Sequence, residues 1–139
     1  MKKIWLFLCL LLPVSCDIYK NYDLDGMWQL KTVQENGGNP VTVDTVYYSF
    51  HREVIFSFTV LKNSTEALYP IYGYMDMPSN NNVHILIDKK SAGKDDFVRF
   101  LHLSGWSSAD LVFDIKKYNK SDLVLYDGTG KKTFTLKKF

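Results

Sequence analysis

Apolar and polar residues alternate along most of the chain beyond residue 26. Short runs rich in Val, Ile, Phe, Tyr and Thr are separated by clusters of turn-forming residues. Because successive side chains of a strand point to opposite faces, this alternation predicts antiparallel strands with one buried and one solvated face. The predicted strands cover residues 27–34, 45–50, 54–61, 68–75, 83–88, 111–117, 123–126 and 133–139. About eight consecutive strands with short links predict an all-β fold, an antiparallel up-and-down barrel that leaves no exposed edge.

Two local signals modify this pattern. In residues 97–106, Phe97, Phe100 and Leu101 share one face of a helix, although every second residue from Phe97 would also share a face in a strand. We favour a short helical or irregular segment here. Between the last two strands, the pair Asp127-Gly128 predicts a hairpin, because Gly accepts the positive φ that a primed turn requires.

The N-terminal residues are ordered as basic, apolar, small and Cys. Two lysines precede an apolar run (4–14), the small residue Ser15 and then Cys16. This order resembles a bacterial lipoprotein signal peptide, although Pro13 stands where the lipobox usually has Leu. The apolar run is about half as long as the roughly 20 residues that a membrane span needs. We therefore predict cleavage before Cys16 and lipidation of its thiol; the alternative is an ordinary secretion signal with a chance Cys.

Cleavage at this point divides the chain into three parts. They are a signal peptide (1–15), a mostly polar tether (16–25) and one domain (26–139). Removing the two lysines of the signal peptide leaves 15 basic residues against 15 acidic ones, so the mature body is formally neutral. A nucleic-acid partner would require a net basic face, and we predict none. With Cys16 acylated, no thiol remains for a disulfide or a nucleophile.

Histidine and acidic residues form no recognisable catalytic or metal-binding pattern in the sequence. His84 and Asp88 share one face of a predicted strand but lie ~13 Å apart, too far for a shared metal. His102 is close to Ser104 in sequence, but a triad would need a distant acid such as Asp110 to converge on them. We predict no enzyme, no metal site and no cofactor.

The first predicted strand begins with a motif of known proteins. Gly26 and Trp28 lie within residues 24–30 and resemble the Gly-x-Trp opening of lipocalins, in which Gly bends the chain and Trp plugs the closed end. With Cys16 and the final Lys-Lys-Phe, the chain also resembles the lipocalin-like lipoproteins common in Bacteroidetes bacteria. It departs from lipocalins on the last strand, where lysines (137–138) replace the usual Arg over the Trp. The alternative is that Trp28 is simply a core aromatic residue.

Aromatic residues on three neighbouring strands suggest what such a barrel would hold. These aromatic residues are Tyr48, Phe50, Phe56, Phe58, Tyr72 and Tyr74. The alternation places most of them on the inward face of their strands. A small eight-stranded barrel either fills its interior with side chains or holds one small ligand. An apolar cup rimmed by tyrosine hydroxyls would suit a hydrophobic or amphipathic molecule. The competing interpretation is that these rings pack against one another and leave no cavity.

Two functions follow from these patterns. The first is a binding module anchored to a membrane through acyl chains on Cys16. Asp17 behind the Cys resembles the inner-membrane retention signal of enteric bacteria, whereas in Bacteroidetes an acidic residue there resembles part of a surface-export signal. We favour the second interpretation and expect a location in the cell envelope, at the outer membrane. The second is a protein-interaction or inhibitor barrel with a packed interior, which would use exposed residues at 36–44, 62–67 and 89–96 against a protein partner.

Overall fold

Antiparallel strands form nearly all of the described chain. The computed structural model describes residues 24–52, 54–62, 66–67 and 70–139, so the predicted signal peptide and Cys16 lie outside the described residues. The strands are β1 (Gly26–Glu35), β2 (Val41–Thr42), β3 (Val46–His51), β4 (Ile55–Lys62), β5 (Glu66–Ala67), β6 (Ile71–Ser79), β7 (Asn82–Ile87), β8 (Asp110–Tyr118), β9 (Asp122–Asp127) and β10 (Lys132–Lys138). A 3-10 helix (Lys89–Ser91) and helix α1 (Lys94–Ser104) connect β7 to β8. No helix in this described part is both long and apolar enough to cross a bilayer.

The sheet closes on itself. The strand order is β10-β9-β8-β7-β6-β4-β3-β1, and β1 also pairs with β10. Trp28 opposes Lys138 and Gln34 opposes Thr133 across this seam, so the pairing extends over most of both strands. Register shifts on β1, β6 and β8 add local twist, which helps a sheet to curve into a barrel. The predicted all-β, antiparallel up-and-down barrel is confirmed.

Each end of the barrel has its own kind of connection. The β3–β4, β6–β7 and β8–β9 links lie at the end where β1 begins, which we call the Trp28 end. The connection from β1 to β3, helix α1 and the β9–β10 turn lie at the opposite end, which we call the helix end. The helical prediction for 97–106 is confirmed, because α1 ends at Ser104 and Gly105 follows in the left-handed region at φ 71°.

The core follows the predicted alternation. The largest fully buried side chains are aromatic and come from β1, β3, β4, α1, β8 and β10: Trp28, Tyr48, Phe50, Phe56, Phe58, Phe100, Phe113 and Phe134. Outward positions on the same strands carry mainly polar residues. Burial of these apolar surfaces is the main favourable term in folding, because it removes a large apolar area from water.

β9 and β10 form the predicted antiparallel hairpin, but the conformation of its turn differs from the prediction. The turn occupies residues 128–131, and the positive φ of 54° belongs to Lys131 rather than to Gly128. The buried carboxylate of Asp127 accepts hydrogen bonds from the backbone N–H of Thr129 at 2.8 Å and from the hydroxyl of Ser107 at 3.1 Å. The hairpin is therefore confirmed, since β9 pairs with β10, but the expected positive φ at Gly128 was wrong, because Asp127 is held inside the barrel wall and the loop closes after it.

Candidate functional site

Trp106 occupies the interior at the helix end of the barrel. Trp106 follows α1 in sequence, and its indole lies inside the barrel, where it is almost fully buried. The indole Nε1 donates a hydrogen bond of 2.8 Å to the hydroxyl of Tyr48, on β3. Its ring centre lies 5.4 Å from that of Phe56 and 5.1 Å from that of Phe113. Burial raises the pKa of Tyr48 above its ordinary value, and the bond from Trp106 lowers it only in part, so the phenol stays neutral.

Four of the predicted ligand-binding residues lie inside the barrel and pack against one another. Tyr48 and Phe56 have ring centres 5.4 Å apart, and Phe50 lies 5.6 Å from Phe56. Phe58 meets the Phe100 ring of α1 edge to face at 4.5 Å. All four side chains are almost fully buried. At this level the interior is a packed aromatic core, the second of the two predicted possibilities.

Tyr72 and Tyr74 lie on the outer face of the barrel, so the prediction that they line its interior is wrong. Their exposed fractions are 48% and 60%. The inward positions of β6 belong instead to Ile71, Gly73 and Met75. Both faces of this strand carry apolar residues, so alternation alone did not identify its buried side. A Cβ atom at position 73 would lie 2.6 Å from the carbonyl oxygen of Leu86 on β7, which explains why Gly73 is a glycine.

An open apolar groove of about 450 Å³ lies at the helix end, and we call it the helix-end groove. Its apolar walls are Val33, Val41, Val43 and Leu103, and its polar rim is Glu35, Asn39 and His102. The volume lies within the ~300–1,000 Å³ typical of small-molecule sites. The groove is not visible in the sequence, because its walls come from segments about 60 residues apart that only the fold brings together.

Local pairing explains how the groove forms. β2 folds back onto β1 through the pairs Thr32 with Thr42 and Val33 with Val41, which makes one wall. The C-terminal end of α1 makes the other, and a side chain at Gly105 would lie 3.4 Å from a methyl group of Val33. Lys132 donates a hydrogen bond of 3.1 Å to the Gly105 carbonyl. This bond places a positive charge at the helix C-terminus, where the helix dipole favours it.

The Trp28 end is closed. Trp28 is buried, and its Nε1 donates a hydrogen bond of 2.9 Å to the carbonyl of Leu24. The Nζ of Lys138 lies 4.6 Å from the centre of the indole and also donates to the carbonyl of Asp25. Gly26 has a φ of 113°, and a Cβ there would lie 2.7 Å from that Nζ. Lys138 on the last strand thus lies over the indole, where the lipocalins that the sequence resembles carry Arg.

An Asp–His–Asp cluster lies on the outer wall, across β6, β7 and β8. The Nδ1 of His84 lies 2.9 Å from a carboxylate oxygen of Asp76, and its Nε2 lies 2.7 Å from one of Asp110. Only the protonated imidazole can donate to both carboxylates. The hydrogen bond to Asp110, followed by that to Asp76, raises the pKa of His84. The sequence did not show this cluster, because its acids are 8 and 26 residues from the histidine.

The residues considered for a catalytic triad have other partners. Ser104 is buried, and its hydroxyl donates to the Leu101 carbonyl and accepts from the backbone N–H of Trp106, each at 3.3 Å. His102 lies at the exposed rim of the helix-end groove. Asp110 is bound to His84 on the outer wall. These groups therefore do not meet at one site.

Comparisons with known proteins agree with this architecture. The family described as a lipocalin-like domain matches residues 8–139. A lipocalin-like protein from Bacteroides uniformis is similar in structure, with a TM-score of 0.71 and 23% identity over 84% of this chain and 99% of that one. An uncharacterized protein from Bacteroides eggerthii has a TM-score of 0.69 and 17% identity over 84% of this chain and all of its own. Among curated proteins, no significant match was found.

Proposed function

The chain belongs to the lipocalin-like domain family, and from this premise we propose that it binds a small hydrophobic or amphipathic molecule while anchored to a membrane. The helix-end groove carries this proposal. Its volume of about 450 Å³ and its valine and leucine walls suit an apolar group, and its polar rim suits a polar head. The binding site we propose is this groove rather than the deep interior, because aromatic rings already occupy that interior.

The anchor and the location rest on the first 17 residues. Acyl chains on Cys16 would hold the protein to a leaflet of the cell envelope, and we propose the outer membrane. Mass spectrometry of the mature N-terminus tests this step. An acylated Cys16 supports the anchor, whereas a mature chain that begins elsewhere with an unmodified thiol contradicts it.

The role that we propose is binding without catalysis. The groove rim contains one histidine and one carboxylate, those of His102 and Glu35, and Glu35 lies 3.5 Å from the Nζ of Lys132. An ion pair of this kind at the rim orients a polar group of a ligand; it provides no activated nucleophile. A purified protein that turned over ester or phosphate substrates, and lost that turnover with His102→Ala, would contradict this part of the proposal.

Binding of the neutral fluorescent probe N-phenyl-1-naphthylamine tests the groove directly. We expect saturable fluorescence enhancement with the chain carrying Cys16→Ser. Leu103→Asp places a charge in the apolar wall and should weaken binding at least about tenfold. Val98→Asp is the matched control, because Val98 is exposed on the same helix outside the groove. Absence of saturable binding, or equal losses in both variants, would contradict a ligand site in the groove.

A second candidate is a protein-interaction barrel, which the packed aromatic interior favours. In that case the probe would not bind in the groove, and the exposed surface would carry the function. The two candidates thus give opposite results in the same fluorescence titration.

A further inference from the structure

We propose that the outer wall formed by β4, β6, β7 and β8 docks a basic segment of a protein partner, with an arginine or lysine side chain held between Tyr72 and Tyr74. This surface is separate from the helix-end groove and does not depend on ligand binding there. It is defined by a slot of about 230 Å³, the outer slot, which is lined by Ile55, Tyr72, Gly73, Tyr74 and Asp88.

The two tyrosines are suitably spaced to flank a cation. Tyr72 and Tyr74 stand on the same face of β6 with only Gly73 between them, so their backbone positions are ~7 Å apart. Tyrosine is enriched in protein interfaces relative to the rest of the surface, and here both rings are about half exposed. A guanidinium or ammonium group against such rings is attracted by their electron-rich faces.

Apolar side chains extend the surface beyond the slot. Ile55 of β4 opposes Tyr74, which in turn opposes Leu86 of β7, so these three side chains form a row across the wall. Val112 of β8 lies next to the row and is also exposed. A small free cation bound in the slot would leave most of this apolar area exposed to solvent. If the cation is a side chain of a polypeptide, the residues on either side of it would cover this apolar area.

Carboxylates lie in and beside the slot. Asp76 follows the tyrosines on the same face of β6, Asp88 lines the slot, and Asp110 lies opposite Leu86. Asp76 and Asp110 share the single imidazole of His84, so even the protonated cluster retains a net negative charge. The neighbouring Lys89 directs its Nζ toward the ring of Phe97, at 5.7 Å, instead of toward the slot.

These carboxylates are clustered on one wall of the barrel. The mature body is formally neutral, and its C-terminal segments are rich in lysines: Lys116, Lys117, Lys120, Lys131, Lys132, Lys137 and Lys138. An anionic partner would therefore bind those segments in preference to this wall. Carboxylates together with exposed tyrosines suit an arginine, whose planar guanidinium both stacks on rings and donates to carboxylates. Tyrosine and arginine are also the residues that most often dominate protein interfaces.

A peptide titration followed by NMR tests the proposal on the full-length chain carrying Cys16→Ser. The probe is an acetylated and amidated Gly-Leu-Arg-Leu-Gly peptide, and its control carries neutral citrulline in place of arginine. We expect saturable shifts of the backbone amides of residues 72–74 and 88 with the arginine peptide. The citrulline peptide should bind about tenfold more weakly, because it keeps the shape and loses the charge.

Variants locate the binding site. Tyr74→Ser should weaken the arginine peptide about three- to tenfold, and Tyr72→Ser serves if the first variant does not fold. Val98→Ser removes an exposed apolar group elsewhere and should leave binding unchanged. Leu103→Asp in the helix-end groove should also leave it unchanged, which separates this result from the proposed function.

Three outcomes would overturn the proposal. The first is equal binding of the arginine and citrulline peptides, which would remove the cation from the interaction. The second is a set of shifts in the first turn of α1, which contains Asp95 and Asp96, that Tyr74→Ser and Tyr72→Ser both leave intact. The third is binding of tetramethylammonium chloride as tight as that of the peptide, which would indicate a site for small cations instead of a protein partner.

Discussion

The two ends of the barrel each bury a tryptophan, but they do so by different means. At the Trp28 end, the indole donates to Leu24, four residues away. At the helix end, Trp106 donates to Tyr48, 58 residues away. The first end is closed by neighbours in sequence together with the last strand. The second end is filled by a long connection that enters the barrel from outside, and this is also the end where an open groove remains.

The difference indicates that one end of this barrel is closed, whereas the other end offers a surface on which a ligand can bind. Short hairpins at the Trp28 end leave little freedom, because each strand continues directly into the next. The helix end is covered by α1 and by the β2 connection, and the open groove lies between these two segments. We expect substitutions at the first end to change stability alone, and substitutions at the second end to change ligand access as well.

Replacing each tryptophan tests this comparison with the largest effect. Trp106→Ala and Trp28→Ala should each lower the free energy of unfolding by about 3–5 kcal/mol, because each leaves a cavity in a packed core. Only Trp106→Ala should also increase binding of N-phenyl-1-naphthylamine, since its cavity adjoins the interior rings. Urea denaturation and probe titration measure the two quantities. Equal probe binding by both variants would remove the distinction between the ends.

A glycine substitution tests the tightness of the Trp28 end. Gly26→Ala should cost about 1–3 kcal/mol, because Gly26 has a φ of 113° and its new Cβ would lie 2.7 Å from the Nζ of Lys138. Gly38→Ala is the control at the helix end, where the nearest atom is 3.4 Å away, and should change stability by less than about 0.5 kcal/mol. Thermal or urea unfolding of both variants decides whether the first end is the more constrained.

The lysine over the indole gives a smaller effect. Lys138→Met should lower the free energy of unfolding by about 0.5–1 kcal/mol, since the cation–π contact with Trp28 is lost. Lys138→Arg keeps the charge over the ring and should remain close to wild type in urea denaturation. If the methionine and arginine variants were equally stable, the charge at this position would not contribute to closing the end.

The Asp–His–Asp cluster on the outer wall should make stability depend on pH, independently of any ligand in the helix-end groove. Contacts with Asp110 and Asp76 raise the pKa of His84. The resulting stabilisation is therefore fully present below the unfolded pKa of about 6.5 and is lost as pH rises through the higher folded pKa. The difference in urea midpoint between wild type and Asp110→Asn should be largest near pH 5.5 and shrink toward pH 8.5. A difference that grows with pH would contradict this assignment.

Much of the fold was predictable, whereas the site was predictable only in part. The strands, the helical segment before Trp106 and the closed antiparallel barrel agree with the sequence patterns. Four of the six predicted ligand residues do face inward, but they pack against one another and against the rings of Phe100 and Trp106. Tyr72 and Tyr74 face outward, because β6 carries apolar residues on both sides and only its pairing decides which side is buried.

The sequence by itself determined the kind of sheet, the number of long strands and the place of the helix, because alternation, turn residues and helical period are local properties of a chain. Tertiary structure alone decided which rings fill the barrel, where an open groove remains and which acids hold His84. Those outcomes depend on strand register and on how one long connection enters the barrel, and both are set by contacts between residues far apart in sequence.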